Sequence, residues 1–488
     1  MKITNSMTGK KEEFVPINKN EVKMYACGVT VYDLSHIGHA RQAIVYAMMT
    51  DYFRYKGYKV TYVRNYTDVD DKIIKRANEL GKNALEFSQE QILETEKDMK
   101  ALHVTEADIK TKASEYIPQI IKFVEALIEK GDAYATEKGD VYYSVKTFKE
   151  YGKLSHRKVD ELRNGVRIEV EEGKKDPVDF ALWKSAKPGE IYWESPWGKG
   201  RPGWHIECSA MILNTLGETI DIHGGGRDLL FPHHENEIAQ SEALTGKKLA
   251  NYWTHCGLIK INGEKMSKSL GNSLSIRDAL KMYNYEVLKY VLLSKHYATD
   301  MDIHDSDYKI ADEHMYYFYS TIKQMNEFIK TNAGDANGET LDNETLKTIV
   351  PKFIEVMDDD FNSALAISNL HIVFRDINNI MKTANKANIQ IVANTLAKAL
   401  EDIKSVYKIL GFFEQEPDEF ISNMKEKYLG KLNISVNEIE NKIAKRAEAK
   451  KNKDYETADA IRAELDKKGI LLNDTKDGTT WDIKELYS

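Results

Sequence analysis

One stretch near the start of the chain constrains the fold more than any other. Residues 22–28, VKMYACG, read as a short buried strand, and residues 29–39 as a turn. Residues 40–56 follow as an apolar, helix-period segment ending at Gly57, a residue suited to closing a helix. KVTYVRNY, residues 59–66, is β-branched and aromatic enough to be the next strand. Strand, helix and strand in this order form a βαβ unit, which demands a parallel sheet with a right-handed crossover. DVDDKIIKRANEL, from Asp68, then starts another helix with acids in its first turn, where they favour the helix dipole. The expected fold class is α/β: a Rossmann-type, doubly wound parallel sheet.

At roughly 150 residues per domain, 488 residues predict about three domains. The α/β texture covers residues 1–114 and resumes over 201–305, with WHIECSAMILNTLG, the strand TIDIHGGG and a helix beginning near Pro232. Between these halves, residues 115–200 read as an insertion: one amphipathic helix, then short strand-like pieces such as VYYSV. Residues 306–412 predict a helical bundle, interrupted by the linker-like TNAGDANGETLDN. The acidic, Pro-containing stretch 413–420 marks an expected hinge before a small domain at 421–488.

Lys plus Arg number 69 against 77 Asp plus Glu, a net charge of −8, so an anionic partner must be held by a local basic patch. Three cysteines, Cys27, Cys208 and Cys256, leave one thiol over in any pairing, which favours a reducing compartment. No signal peptide core and no run approaching about eighteen apolar residues is visible. A soluble cytoplasmic protein without a membrane partner is expected.

Two motifs carry chemistry. His36-Ile37-Gly38-His39 lies directly after the first strand, at the start of the following helix. There, free N–H groups and positive potential suit phosphate, Gly38 lets a nucleotide approach the backbone, and two imidazoles three residues apart share a helix face. Two loop histidines capping a helix are the plainer alternative. Lys265-Met266-Ser267-Lys268-Ser269 follows the strand candidate CGLIKI; its lysines and hydroxyls suit the charge that develops on leaving pyrophosphate.

At these residues the chain resembles the class I aminoacyl-tRNA synthetases, whose signatures are the HIGH and KMSKS motifs. MYACGVTVYDLSHIGHAR, YTDVDDKI, RPGWHIECSAM, HGGGRDLLFPHHENEIAQSEA, KMSKSLGN and MDDDFN narrow the resemblance to the cysteinyl-tRNA synthetase family, and ADAIRAEL with GTTW resembles its C-terminal domain. The resemblance implies a class I catalytic domain, an α-helical bundle and a small anticodon-recognising domain. The implied reaction joins L-cysteine to the 3′ end of tRNA(Cys) through cysteinyl-adenylate, with ATP and Mg2+ as the substrate complex, in a monomer. His36, His39, Lys265 and Lys268 are the implied catalytic residues, with His36, Gly38, His39 and Lys268 binding ATP. Gly28, Thr67, Trp204, His223 and Asp228 match pocket residues around the substrate cysteine.

For a metal, spacing alone joins only His233 and Glu237, four apart on a predicted helix, and a polar helix face or an N-terminal cap is the better explanation of that pair taken alone. HHENEI is not a zincin motif, since Ile238 stands where a second histidine is needed. The resemblance adds Cys27 and Cys208, making one zinc ion held by Cys27, Cys208, His233 and Glu237. Zinc takes a thiolate readily and an alkyl hydroxyl poorly, so coordination would separate cysteine from serine without an editing domain.

Other positions stay open. Asp358, Asp359 and Asp360 read as a helix start in the bundle in preference to a magnesium cluster. Cys256 is a bystander or an oxidation-prone thiol. Residues 442–453 carry six basic side chains against Glu448 alone: Lys442, Lys445, Arg446, Lys450, Lys451 and Lys453 either track a phosphate backbone or form a solvated helix face. Trp481 either stacks on an unpaired base or anchors its small domain; the resemblance favours RNA for both. Two rivals share parts of the pattern. A ligase joining cysteine to an amino-sugar lacks the tail after Phe420, and a catalytically dead RNA-binding paralogue would not need intact His36, His39 and Lys268.

Overall fold

A computed structural model describes residues 1–158, 173–261, 263–265, 273–475 and 478–487. The chain divides into two compact units, the first made of residues 1–285, 292–303 and 355–364, the second of 286–291, 304–354 and 365–488.

The first unit is built on β1 (Glu21–Thr30), α1 (Ile37–Tyr55), β2 (Lys59–Thr67), β3 (Ile109–Lys112), α2 (Trp204–Thr215), β4 (Ile220–Gly226), α3 (Glu235–Thr245) and β5 (Ala250–Cys256). All five strands run parallel in the order β5-β4-β1-β2-β3. This is a doubly wound parallel sheet, the class expected from the sequence, and its direction of winding reverses between β1 and β4, where such sheets open a crevice. The initial strand is longer than predicted because its pairing with β2 resumes at Val29 and Thr30 after a register shift at Ala26.

The insertion folds as helix Ile117–Glu129 and a four-stranded antiparallel sheet. Its apolar side, with Val124, Leu127 and Trp183, packs onto Ile206 of α2 and Ala239 of α3.

In the second unit, helices Asp305–Thr331, Ile389–Tyr407 and Pro417–Leu432 precede Val436–Lys451, Tyr455–Lys467 and a terminal hairpin. The expected hinge at 413–420 is instead locked in place. Phe413 and Phe420 are buried, and Phe420 stacks on Tyr319 at 3.9 Å. The buried Glu286 carboxylate accepts from the amides of Phe413 and Glu414 at 2.8 and 3.1 Å. The Pro and acids that resembled a hinge are a helix start, with Pro417 in the first turn ahead of Asp418 and Glu419.

The three aspartates also differ from expectation. Asp358 is the last residue of helix Ile349–Asp358, not the first of a helix, and residues 355–364 belong to the first unit rather than to the bundle. Each carboxylate is spent there on a separate partner. Among the described residues, no helix is long and apolar enough to cross a membrane.

Candidate active site

A cleft of about 330 Å³ opens at the carboxyl ends of β1, β2, β4 and β5, beside the start of α1. His36 is the N-cap of α1: its Nδ1 accepts from the Gly38 amide at 3.1 Å, while His39 Nδ1 accepts from the His36 amide at 3.3 Å. The capping alternative is therefore real, and it serves the other reading. An Nδ1 that accepts carries no proton, so the hydrogen-bond pattern assigns the ring proton of both to Nε2, a donor suited to phosphate oxygens. The two rings stack at 3.7 Å, and His36, Gly38 and His39 all line the cleft.

Gly28 sits where the β1 register shifts. A side chain there would meet the Asn65 carbonyl at 1.6 Å, so the close approach of β1 to β2 requires glycine. The shift leaves the Cys27 carbonyl outside the ladder, where Gln42 of α1 donates to it at 2.6 Å.

Cys27 Sγ lies 3.8 Å from Cys208 Sγ and 3.5 Å from Glu237 Oε1, and His233 Nε2 lies 3.0 Å from Glu237 Oε1. Donor atoms of all four buried side chains lie within 4.8 Å of one another. Two thiolates bound tetrahedrally at about 2.3 Å from one zinc ion stand about 3.8 Å apart, so the sulfur spacing fits that metal without rearrangement. The neighbours orient these groups. His205 Nδ1 meets His233 Nδ1 at 3.0 Å, which leaves His233 Nε2 to face the cluster, and His223 Nε2 meets Glu237 Oε2 at 2.8 Å.

Charge is distributed unevenly within the cluster. The hydrogen bond from Cys27 brings Cys208 down to about 6 against the effect of burial, whereas burial pushes Cys27 well above its ordinary value. Burial raises the Glu237 carboxyl too, but His223 and His233 outweigh it and hold it well below the usual carboxylate range. Burial opposes charge on His233, yet Glu237 and Cys208 bring it up to about 10.

Thr67, Asp228 and Trp204 line the cleft with Gly28, and Trp204 stacks on His233 at 4.3 Å. His223 does not share that surface: it is fully buried behind Glu237, stacked on Trp253 at 4.4 Å. Its Nε2 is turned to Glu237 Oε2. Cys256 lines the cleft but is buried, and burial raises its thiol to about 11, which keeps it protonated at neutral pH. Lys268 lies outside the described residues, and Lys265 ends the short strand Glu264–Lys265.

Sequence reading missed His205, Gln42, Asn65 and Lys72. The last three line the cleft. His205 and Lys72 carried a signal, since they fall within the motif segments RPGWHIECSAM and YTDVDDKI.

The basic stretch is divided by its surroundings. Arg446 is buried and makes a paired contact to Asp474 at 2.7 and 2.9 Å, so its guanidinium belongs to the interior and is withdrawn as an RNA contact. Lys442 pairs with Glu464 and Lys450 with Asp474, while Lys445 and Lys451 are exposed. Trp481 donates to Glu440 at 2.7 Å under the ammonium of Lys425, an anchoring arrangement.

Residues 13–313 match the family described as tRNA synthetases class I (C) catalytic domain, residues 352–414 a DALR domain, and residues 437–481 a cysteinyl-tRNA ligase anticodon binding domain. The chain belongs to the cysteine–tRNA ligase family. Among its relatives, the cysteine–tRNA ligase of Thermodesulfovibrio yellowstonii is 49% identical over 99% of this chain and 100% of its own length. That of Geobacter metallireducens is 48% identical with the same coverage. A solved Mycobacterium tuberculosis methionyl-tRNA synthetase in complex with methionyl-adenylate superposes with a TM-score of 0.62 over 86% of this chain and 94% of its own, at 14% identity, and so shares the fold. The class I synthetase fold and family expected from the sequence hold across nearly the whole length.

Proposed function

We propose that this chain is a cysteine–tRNA ligase that recognises its amino acid at the Cys27, Cys208, His233 and Glu237 cluster. The observation that carries this reading is two thiols, an imidazole and a carboxylate converging beside a phosphate-ready helix start, within a family of that activity. Cysteine's carboxylate attacks the α-phosphorus of ATP, the bond to the β-phosphate bridge breaks, and pyrophosphate leaves with Mg2+. A terminal ribose hydroxyl of tRNA(Cys) then takes the acyl group and AMP departs.

His36 and His39 donate through Nε2 to phosphate oxygens, with the α1 N-terminus adding its partial positive charge. Lys265 and Lys268 neutralise the leaving pyrophosphate. Gly28 and Thr67 bound the amino-acid end of the cleft, Asp228 flanks it, and Trp204 closes over His233. When bound, a zinc ion on the four-residue cluster would take the substrate thiolate directly, a ligand that serine cannot match at neutral pH. His205 and His223 hold His233 and Glu237 in orientation. Lys445 and Lys451, with Lys442 and Lys450 at the rim, face the phosphates of the anticodon arm, and Trp481 stacks on an unpaired base. We place the enzyme in the cytoplasm, a reading supported by three cysteines that are all free, and as a monomer, which is what the family resemblance implies.

The test is transfer of labelled cysteine onto total tRNA by the purified protein with ATP and magnesium, with serine in parallel. Charging by cysteine alone is the expected result. Cysteine-driven pyrophosphate exchange without charging would redirect the reading to another acceptor, and no exchange from zinc-loaded protein would refute it.

A further inference from the structure

Three consecutive aspartates sit in the first unit between two helices that belong mostly to the second. Asp358 accepts from the Tyr52 hydroxyl at 2.7 Å and pairs with Lys56 at 2.9 Å, while Asp359 pairs with Lys11 at 2.7 Å. Asp360 is different. It is 2% exposed, in the left-handed region at φ 69°, and its Oδ1 accepts from the Thr4 amide at 2.8 Å and the Tyr297 hydroxyl at 2.9 Å. Its carbonyl meets His296 Nε2 at 2.9 Å. Asp360 thus clamps the turn at residues 296–301 against the short N-terminal strand Lys2–Asn5.

That turn is the back of one cleft wall. Gly257, Leu258 and Ile259 line the cleft with His36 and His39. The Gly257 amide donates to the Tyr297 carbonyl at 2.8 Å, the Leu258 amide to Asp300 Oδ1 at 2.9 Å, and the Met301 amide to the Leu258 carbonyl at 2.8 Å. Arg41, fully buried on α1, donates to the carbonyls of Gly257 and Thr299, both at 2.8 Å. A Cβ on Gly257 would meet the Thr299 carbonyl at 2.3 Å, so the wall lies flat on the turn. Close-packed groups joined by this many hydrogen bonds move together. A displaced turn displaces the wall facing the two motif histidines.

We infer that Asp360 is a positioning residue for the nucleotide: through Tyr297 and His296 it sets the turn that holds Gly257–Ile259 at the distance from His36 and His39 that ATP requires. The inference rests on the proposed adenylation activity. It predicts that Asp360→Ala and Tyr297→Phe, the second removing one hydroxyl and keeping the buried ring, raise the KM for ATP in cysteine-dependent pyrophosphate exchange by about tenfold or more. The KM for cysteine and the zinc content should stay at wild-type levels, and Asp359→Ala, which loses only a surface pair, should behave as wild type. If Asp360→Ala does not fold, Tyr297→Phe decides alone. An unchanged ATP KM in the folded variants would overturn the inference even if their melting temperatures fall, because that pattern is a structural clamp and nothing more. Absence of exchange in the wild type would instead remove the activity itself, and the inference with it.

Discussion

The metal cluster of the first unit and the basic helix Val436–Lys451 of the second both bring opposite charges together, and they use them differently. Around Glu237 every group is buried, so each side chain sets the protonation of the next and removing one leaves another uncompensated. On the basic helix, most pairs are open to water, where an ion pair is worth roughly 0–1 kcal/mol. Burial, not the number of charges, decides which region can do chemistry and which can only attract.

The largest break in this comparison should come from Cys208→Ser. Loss of one soft ligand from a buried site should abolish zinc binding, read as metal content after dialysis, and with it the preference for cysteine over serine in pyrophosphate exchange. Full zinc occupancy in that variant would show that the cluster is not the metal site.

Acidity should sharpen the contrast next. In the metal-free protein Cys27 and His233 are held in their protonated forms, since both are raised, and zinc must displace those protons. Zinc affinity should therefore rise with pH from 6 to 8, about tenfold per unit for each proton displaced, in a titration against a metal buffer. A flat profile would mean that the cluster is already deprotonated.

Smaller effects separate the residues of the basic helix. Arg446→Ala should lower stability by about 1–2 kcal/mol in thermal melts, because it removes a buried stem and the main partner of Asp474. Lys445→Ala and Lys451→Ala should leave melting unchanged and each lower the salt dependence of tRNA binding by about one unit of slope. Equal effects from all three would dissolve the distinction between interior and surface.

Legibility in the sequence followed the range of the interactions. The strand-helix-strand opening, the helix end at Gly57 and the motif at His36 depend on neighbours within a few residues, and periodicity reports those directly. His233 and Glu237 were paired by spacing because a single helical turn joins them. The hinge failed because acids and Pro begin a helix as readily as they break a chain, and only the buried Glu286 shows which happened. The aspartates were misplaced because their partners, Lys11, Tyr52 and Tyr297, are distant along the chain.

By itself the sequence determined the α/β class, the order of its elements, both signature motifs and, through resemblance, the four ligand types. Only the tertiary structure decided that Cys27 and Cys208, 181 residues apart, meet at 3.8 Å, that His223 stands behind Glu237, and that Arg446 points inward. Those facts depend on which strands lie side by side and which face of a helix is covered. Local periodicity encodes how a segment folds, whereas burial and partner choice arise only when distant segments pack.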